Sequence, residues 1–316
     1  MAERPSGSNW GDYGPRDRHG RTNELTPERV VRAAKEVRTG VRFCLSLPLD
    51  YPGGNVLNPY RFPPEHRWND FGGTPAHDYL MSNRREGTTG VVNDDIVVMH
   101  TQYSTQWDAF SHIGSHFDAD GDGDAEICFY NGTYPGPDVE DMATACIQGR
   151  GVMVDLHRRF GNERVRVNRA MLEEVMREQN VTVEAGDILT LHTGLAQIML
   201  DLQKKPTREA LHESCAVLDG HDATLLDWIT DSGIVAIVAD NYAVEGYPSE
   251  KGSGKPYWPL HEHCLFKLGV HLGEIWYLTE LAQWLRDNGR FRFFLTAPPL
   301  RLPGHVGSPA NAIATV

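Results

Sequence analysis

Two kinds of apolar spacing alternate along the chain and predict its secondary structure. Apolar residues at helical spacing predict helices over residues 27–38, 167–179, 221–230 and 274–287. Short apolar runs predict strands over residues 41–47, 95–103, 151–156, 188–192, 234–239 and 291–296. Because helices and strands are interspersed, without a clean linker or an internal repeat, the pattern predicts an α/β fold with a mixed sheet.

Two of the predicted helices carry recognisable N-terminal residues. Thr26 can cap the first helix, and Pro27 suits the first helical position. Glu274 falls in the first turn of the helix predicted over 274–287, where the helix dipole favours an acid.

Composition along the chain predicts the domain organisation. Residues 1–21 are rich in Gly, Pro, Ser and charged residues, so we assign residues 1–24 to a flexible or surface-wrapping arm. We expect residues 25–316 to form a single domain. Within it, residues 50–90 are rich in Pro, Gly, Asn and Arg and predict a long irregular connection, which in a compact protein is more often functional than idle.

Charge and cysteine usage exclude several classes of partner. The 316-residue chain has 43 acidic and 30 basic residues, a net charge of −13 and no basic stripe, which argues against nucleic acid. No apolar stretch approaches the roughly 18–20 residues that span a bilayer, and no signal peptide is recognisable. The five cysteines are scattered without a CxxC pair, which argues against a disulfide framework. We therefore expect a cytoplasmic protein.

The densest reactive stretch is residues 100–112, HTQYSTQWDAFSH. If a strand continues through it, Gln102, Gln106 and Asp108 project to one face, because side chains alternate with period two. His112 lies one turn beyond Asp108 if the chain then becomes helical. An Asp and a His placed together can share a metal, or act as a general base with its orienting partner. The alternative is a strand end whose polar groups satisfy one another.

A second polar group consists of His261, His263 and Glu274. It follows a Gly/Pro-rich loop over residues 245–259, and such loops commonly carry active-site residues on a rigid scaffold. The two histidines could instead be ordinary surface residues.

Residues 118–124, DADGDGD, resemble the start of a calcium loop. Position 12 of that loop is Phe129, however, where an EF-hand needs a bidentate Glu. We therefore expect a solvated acidic loop.

The first two groups together resemble the cyclase family of metal-dependent hydrolases, which includes bacterial kynurenine formamidases and isatin hydrolases. That family carries the signature H-x-G-T-H-x-D-x-P-x-H and a later His and Glu. Residues 104–112, STQWDAFSH, match the second half of the signature, and the stretch from His261 to Glu274 matches the later pair. Three segments resemble the family's tryptophan-containing branch: TQWD at 105–108, FYNG at 129–132 and GSPANA at 307–312.

The resemblance implies a swivelling β/β/α fold and an oligomer with the active site near subunit contacts. The polar N-terminal arm and the Pro-rich segment at 50–75 suit a compact core poorly, and such segments often become ordered on a neighbouring subunit, so we expect a homodimer or homotetramer. It implies that Asp108 is a metal-ligand carboxylate and that His112 is the general acid/base. Glu274 and one of His261 or His263 would complete the metal site or transfer protons. The implied cofactor is a divalent cation, zinc or manganese, and the implied partner is a small-molecule substrate.

Gln102 and Gln106 depart from the family pattern, because they stand where the family has two metal-binding histidines. Glutamine oxygen binds a divalent transition metal less well than imidazole does. Either these residues and their neighbours hold the metal differently, or the ion is a harder one, or it is absent.

A second alignment of the signature is also open. Residues 112–118, HIGSHFD, restore H-x-G-S-H-x-D and would move the site to His112, His116 and Asp118. This alignment places acids at the signature's Pro and last His. We favour the first alignment, because TQWD and the downstream YNG fit it together.

The leading functional hypothesis is a metal-dependent hydrolase of a small cyclic or aryl amide, lactam or lactone. Four aromatic residues could supply a flat apolar wall for such a substrate: Trp107, Phe110, Trp258 and Trp276. The alternatives are a metal-independent lyase, isomerase or cyclase on the same scaffold, and a non-catalytic small-molecule-binding protein.

Overall fold

The computed structural model describes residues 4–247 and 257–316. Its strands are β1 Arg42–Cys44, β2 Glu65–Trp68, β3 Tyr79–Leu80, β4 Val91–Val92, β5 Asp95–Val98, β6 Gln106–Asp108, β7 Ser115–Phe117, β8 Glu126–Cys128, β9 Gln148–Asp155, β10 Arg166–Val167, β11 Ile188–His192, β12 Val217–Leu218, β13 Ala236–Ala239, β14 His271–Glu274, β15 Arg292–Thr296, β16 Gly307–Pro309 and β17 Ile313–Thr315. Its α-helices are α1 Pro27–Ala34, α2 Val139–Thr144, α3 Leu156–Phe160, α4 Arg169–Glu178, α5 Leu195–Asp201, α6 Arg208–His212, α7 Ala223–Ser232, α8 Pro259–His261 and α9 Thr279–Asp287. A π-helical segment, Glu262–Leu268, continues α8.

The main sheet has nine strands in the order β1-β17-β15-β9-β11-β13-β14-β6-β16. The central strands β9, β11, β13 and β14 are parallel to one another. β15 and β6 pair antiparallel on either side of this central group. The sheet is therefore mixed, and the predicted α/β fold is confirmed.

Side chains of the central strands alternate between two apolar layers. Val152 and Val154 of β9 belong to one apolar cluster, which also contains residues of α4 and α7. Met153, between them, belongs to a second cluster with residues of α2 and α9. Both faces of these strands are covered, which explains why they appear in the sequence as nearly continuous apolar runs.

The sequence predicted one element boundary near the candidate site wrongly. Glu274, expected in the first turn of a helix, is the last residue of β14, and α9 begins only at Thr279. The backbone of Ile275 is left-handed, with φ 56°, and ends the strand. Pairing of β14 with β13 and β6 outweighs the local helical spacing of this segment.

The N-terminal arm lies against the same chain. The side chain of Trp10 is buried, meets Phe266 edge to face with ring centroids 5.0 Å apart, and donates a 2.8 Å hydrogen bond to the Phe266 carbonyl. Arg21 is also buried and donates to the Ile229 and Thr230 carbonyls. These contacts fasten the arm to the layer that contains the π-helical segment and α7.

Three small antiparallel ribbons of the described residues lie outside the main sheet: β2 with β5, β3 with β4, and β7 with β8. Every residue of β2 and β5 is exposed. The strand predicted over 95–103 ends at Val98, and the chain turns before β6. None of the helices within residues 4–247 and 257–316 has the length and apolar character needed to cross a membrane.

Candidate metal and substrate site

The candidate site is built on two neighbouring strands, β6 and β14. They pair antiparallel, with Gln106 opposite Glu274 and Asp108 opposite Leu272. Gln106 and Asp108 share one face of the sheet because they are two residues apart, and Glu274 lies across from Gln106 on that face. All three polar side chains are buried.

Two glutamine amides contact the acids of this cluster. Gln102 precedes β6, and its Nε2 donates to Asp108 Oδ1. Gln106 Nε2 lies 3.2 Å from Glu274 Oε2 and 3.5 Å from Asp108 Oδ1. Two buried oxygens, Asp108 Oδ2 and Gln106 Oε1, have no hydrogen-bond partner within the described residues. The cluster thus contains two buried oxygen acceptors that no described residue satisfies.

His261 joins this cluster from the end of α8. Its Nε2 lies 3.2 Å from Glu274 Oε1, and its Nδ1 lies 2.7 Å from Glu245 Oε1. The backbone N–H groups of Leu260 and His261 also donate to the Glu245 carboxylate. A Cβ at Gly220 would overlap Glu245 Oε2, so this close approach needs glycine. Glu245 therefore orients the ring of His261 and determines which nitrogen faces Glu274.

Burial and neighbouring charges shift the pKa values of Asp108, His261 and Glu274. Burial and the neighbouring Glu274 carboxylate raise the pKa of Asp108 to about 7. Burial alone would lower the pKa of His261, but its hydrogen bonds to Glu245 and Glu274 outweigh this effect and raise that pKa to about 10. Burial likewise opposes ionisation of Glu274, yet the hydrogen bond from His261 holds the pKa of Glu274 below its ordinary value.

His112 is the last residue of a 3₁₀ turn that follows β6. It lines a cavity onto which the cluster opens. Its Nδ1 lies 3.4 Å from Gln102 Nε2. Because an amide nitrogen only donates, Nδ1 accepts this bond, and the proton of the neutral ring is then on Nε2. Burial, and after it the positive charge of His261, lowers the pKa of His112 to about 4.

The structure does not bring every predicted site residue into the cluster. His263, named together with His261 from the sequence, has its Nε2 2.9 Å from Thr230 Oγ1 on α7. The two histidines are two residues apart on a helical segment, so their side chains diverge. Two residues that the second alignment would place in the site lie elsewhere. His116 is exposed on β7, and the Asp118 carboxylate accepts hydrogen bonds from backbone N–H groups of its own loop. This geometry favours the first alignment.

The cluster opens onto a cavity of about 250 Å³, called the site cavity below. Its lining includes His112, His261 and Glu274 together with Arg61, Asn58, Tyr242, Tyr247 and Trp258. Of the four aromatic residues proposed from the sequence as a wall, Trp258 lines this cavity. Trp107 and Trp276 are buried edge to face in the apolar core, and Phe110 stacks on His271.

Two groups of side chains in the described ranges could hold a metal ion. Asp108, His261 and Glu274 each offer one ligand atom, all within 4.8 Å of one another, and all three residues are buried. Asp118, Asp120 and Glu126 form a second group around the acidic loop, in which Asp120 is exposed. Burial of the first group makes it the stronger candidate, since exposed acids are readily satisfied by water.

Two ionisable residues of the site, Glu245 and Arg61, were not identified from the sequence. Glu245 follows β13 after a short irregular stretch, and Arg61 lies in the connection before β2. No spacing relates either residue to the motif around Asp108. Only the observation that long connections are often functional pointed toward the region of Arg61.

Comparison with known proteins agrees with this architecture. A family model described as Putative cyclase matches residues 45–246. A solved structure described as a novel cyclase is 32% identical, with a TM-score of 0.79 and an alignment covering 98% of this chain and 99% of that chain. No curated protein sequence matches this chain.

Two more distant structures share the fold. Isatin hydrolase A from Labrenzia aggregata, bound to benzyl benzoate, is 14% identical with a TM-score of 0.58, covering 91% of this chain and 97% of that chain. A potential metal-dependent hydrolase with cyclase activity is 16% identical with a TM-score of 0.51, and the alignment covers 87% of this chain and 96% of that chain. The family match spans more than half of the chain, and the resemblance inferred from the motifs is confirmed: this chain belongs to the cyclase family.

Proposed function

We propose that this protein is a metal-dependent hydrolase of a small cyclic or aryl amide, lactam or lactone. The observation that carries the proposal is the buried trio of Asp108, His261 and Glu274, whose ligand atoms lie within 4.8 Å of one another beside the site cavity. The isatin hydrolases and the potential metal-dependent hydrolase among the structural neighbours support it as relatives in fold.

The residues present suit a divalent cation. Asp108 Oδ2 and Gln106 Oε1 are buried acceptors without a partner in the described part of the chain, and a cation would satisfy both. Asp108, Glu274 and His261 Nε2 would be its principal ligands. Gln102 and Gln106, which stand in place of the family's histidines, would add their amide oxygens once their Nε2 atoms turn away from the carboxylates. Such a cation would act as a Lewis acid toward the substrate carbonyl.

The protein's own groups account for ligand orientation and for proton transfer. Glu245 keeps a proton on Nδ1 of His261, which leaves Nε2 as the ligand nitrogen once that atom is deprotonated. His112 lines the site cavity as a neutral ring, so it can act first as a general base and take a proton from the attacking water. The imidazolium that forms then gives this proton to the leaving nitrogen or oxygen, which restores the neutral ring.

Two other functions use the same geometry. A metal-independent lyase, isomerase or cyclase would use Asp108 and His112 alone for proton transfer. A protein that only binds a small molecule would use the site cavity without chemistry, and the two glutamines are the feature that favours it.

Metal content and turnover distinguish the three functions. The protein is purified without a metal-chelating column, analysed for bound metals, and assayed with N-formyl arylamines, cyclic imides and lactones before and after chelation. The proposal expects about one or more divalent ions per chain and hydrolysis that chelation abolishes. Asp108→Asn should lose both, whereas Asp118→Asn, the matched change in the acidic loop, should keep both. Turnover that survives chelation would instead indicate the metal-independent enzyme, and binding without turnover the binding protein.

A further inference from the structure

Arg61 brings an uncommitted positive charge to the site cavity. Its side chain is half-buried and lines the cavity with His112, His261 and Glu274. Its Nη1 donates a 2.5 Å hydrogen bond to the backbone carbonyl of Gln102. No carboxylate within residues 4–247 or 257–316 forms an ion pair with Arg61 at 4.0 Å or less. The remaining guanidinium donors are therefore available to a ligand.

The other positively charged group on the cavity lining is already neutralised. His261 lies between Glu245 and Glu274, and both of its ring nitrogens face carboxylates. Asp108 adds a further acid to this end of the cavity. A cation held at this end would likewise be balanced by Asp108 and Glu274, so among the described lining residues Arg61 is the cation that can receive an anionic group of a ligand.

An aromatic wall, formed by Tyr242, Tyr247 and Trp258, lines the same cavity. Tyr247 and Trp258 stack in parallel, with ring centroids 4.8 Å apart and planes inclined by 1°. Tyr242 meets Tyr247 edge to face at 5.5 Å, and the ring of His261 lies 5.2 Å from that of Trp258. Flat aromatic surfaces of this kind favour planar ligands. A volume of about 250 Å³ lies below the usual size of pockets for drug-sized ligands, so one or two rings are the expected size.

We infer that the substrate is a planar aromatic amide or lactone that carries a carboxylate group, with the ring on the aromatic wall and the carboxylate on Arg61. The scissile carbonyl then lies toward Asp108 and Glu274, away from the anionic group. This inference rests on the proposed function for the identity of the scissile bond, but the recognition of an aromatic carboxylate does not depend on turnover.

Arg61 could instead have a purely electrostatic role toward the site's own acids, and this role predicts a different effect on ligand binding. If Arg61 only balances the charge of Asp108 and Glu274, its loss affects neutral and anionic ligands alike. A matched pair of ligands that differ only in carboxylate and carboxamide separates the two roles.

The binding test uses benzoate and benzamide as probes, titrated calorimetrically into the wild-type protein and into Arg61→Gln, Arg61→Lys and Arg67→Gln. Arg67 is the matched control, because it is exposed on β2 and pairs with Glu65. Benzoate should bind the wild type more tightly than benzamide. Arg61→Gln should weaken benzoate about 10–100-fold, the effect of losing a charge-assisted bond, while changing benzamide little. The affinity of Arg61→Lys for benzoate should lie between those of the wild type and Arg61→Gln. Arg67→Gln should bind both probes as the wild type does.

Equal affinity for the two probes, or an equal loss of both in Arg61→Gln, would overturn the inference, and so would the absence of benzoate binding. The kinetic test compares two substrates. One is a formylated arylamine with a carboxylate on its ring, and the other is the same compound with a carboxamide in place of the carboxylate. Arg61→Gln should raise KM for the acid about 10–100-fold more than it raises KM for the carboxamide. If no compound is hydrolysed but benzoate binding depends on Arg61, the proposed reaction fails while the inferred recognition stands.

Discussion

Glu245 Oε1 lies 2.7 Å from Nδ1 of His261, while the opposite nitrogen of the same ring faces Glu274. A carboxylate behind a ligand histidine fixes the orientation of the ring and its tautomer, and losing it typically costs about 10–100-fold in metal affinity or activity. Glu245→Gln should therefore weaken manganese or zinc binding by that factor, measured by calorimetry on the chelated protein. Glu262→Gln, which changes a half-buried glutamate paired with Lys267, should leave the affinity unchanged. Equal affinities in both variants would contradict the assignment of His261 as a ligand.

The two alignments of the motif predict opposite behaviour of two histidines. His112 lines the site cavity, whereas His116 is exposed on β7. His112→Asn should lower kcat by about 10²–10⁴, the usual cost of removing a general acid/base, with bound metal largely retained. His116→Asn should leave kcat close to the wild-type value. The reverse ranking would move the site to His116 and Asp118.

The two glutamines that contact Asp108 offer a test of the metal ligands. Imidazole binds zinc and manganese more tightly than an amide oxygen does. The double variant Gln102→His/Gln106→His should thus bind either ion more tightly than the wild type in a competition titration with a chelator. Gln197→His/Gln283→His, on α5 and α9, provides a control with the same composition. Unchanged affinity in the first variant would mean that these side chains do not reach the ion.

His192 and Asp155 form a buried ion pair outside the candidate site, with Nδ1 2.8 Å from Oδ1. Burial alone would lower the pKa of His192, but the hydrogen bond to Asp155 outweighs it, so that pKa lies above its ordinary value of 6.5. Burial alone would raise the pKa of Asp155, yet the hydrogen bond from His192 outweighs it, so that pKa lies below its ordinary value of 3.8.

The signs of these two shifts define a pH window for stability. Stabilisation from charged His192 is complete below its ordinary pKa and is lost as the pH rises through the raised value. Stabilisation from Asp155 is complete above its ordinary pKa and is lost as the pH falls through the lowered value. His192→Gln should therefore lower Tm more at about pH 5.5 than at about pH 9. His305→Gln, an exposed change, should shift Tm little at either pH. A Tm loss for His192→Gln that does not depend on pH would show that the pair does not titrate in this way.

The ribbon of β2 and β5 exposes apolar side chains without a covering layer. Ile96, Val97 and Val98 are 43%, 51% and 47% exposed, and Trp68 on the facing strand is 38% exposed. An isolated two-stranded ribbon is at best marginally stable in water, so we expect a second copy of the chain to cover it. Light scattering should give two or four times the mass of one chain, and Val97→Asp should shift the protein toward the monomer. A monomeric wild type at micromolar concentration would contradict this expectation.

Features of the site that depend on neighbouring residues were predictable from the sequence. Gln106 and Asp108 share a face because they are two residues apart on a strand, and Thr26 caps α1 as its residue type predicts. The strand over Ile188–His192 has the bounds that its apolar run indicates. In each case the determining interactions are local, so the pattern in the chain contains the information.

The remaining features depend on contacts between distant segments. Glu274 belongs to a strand because β14 pairs with β6, whose residues lie more than 160 positions earlier. His261 rather than His263 reaches the cluster because the helical turn from α8 into the π-helical segment directs one side chain toward Glu245 and the other toward α7. Arg61 reaches the site cavity only through the path of a long irregular connection. Apolar periodicity records which face of an element is buried but not which element lies against it, so these partners were decided by the tertiary packing.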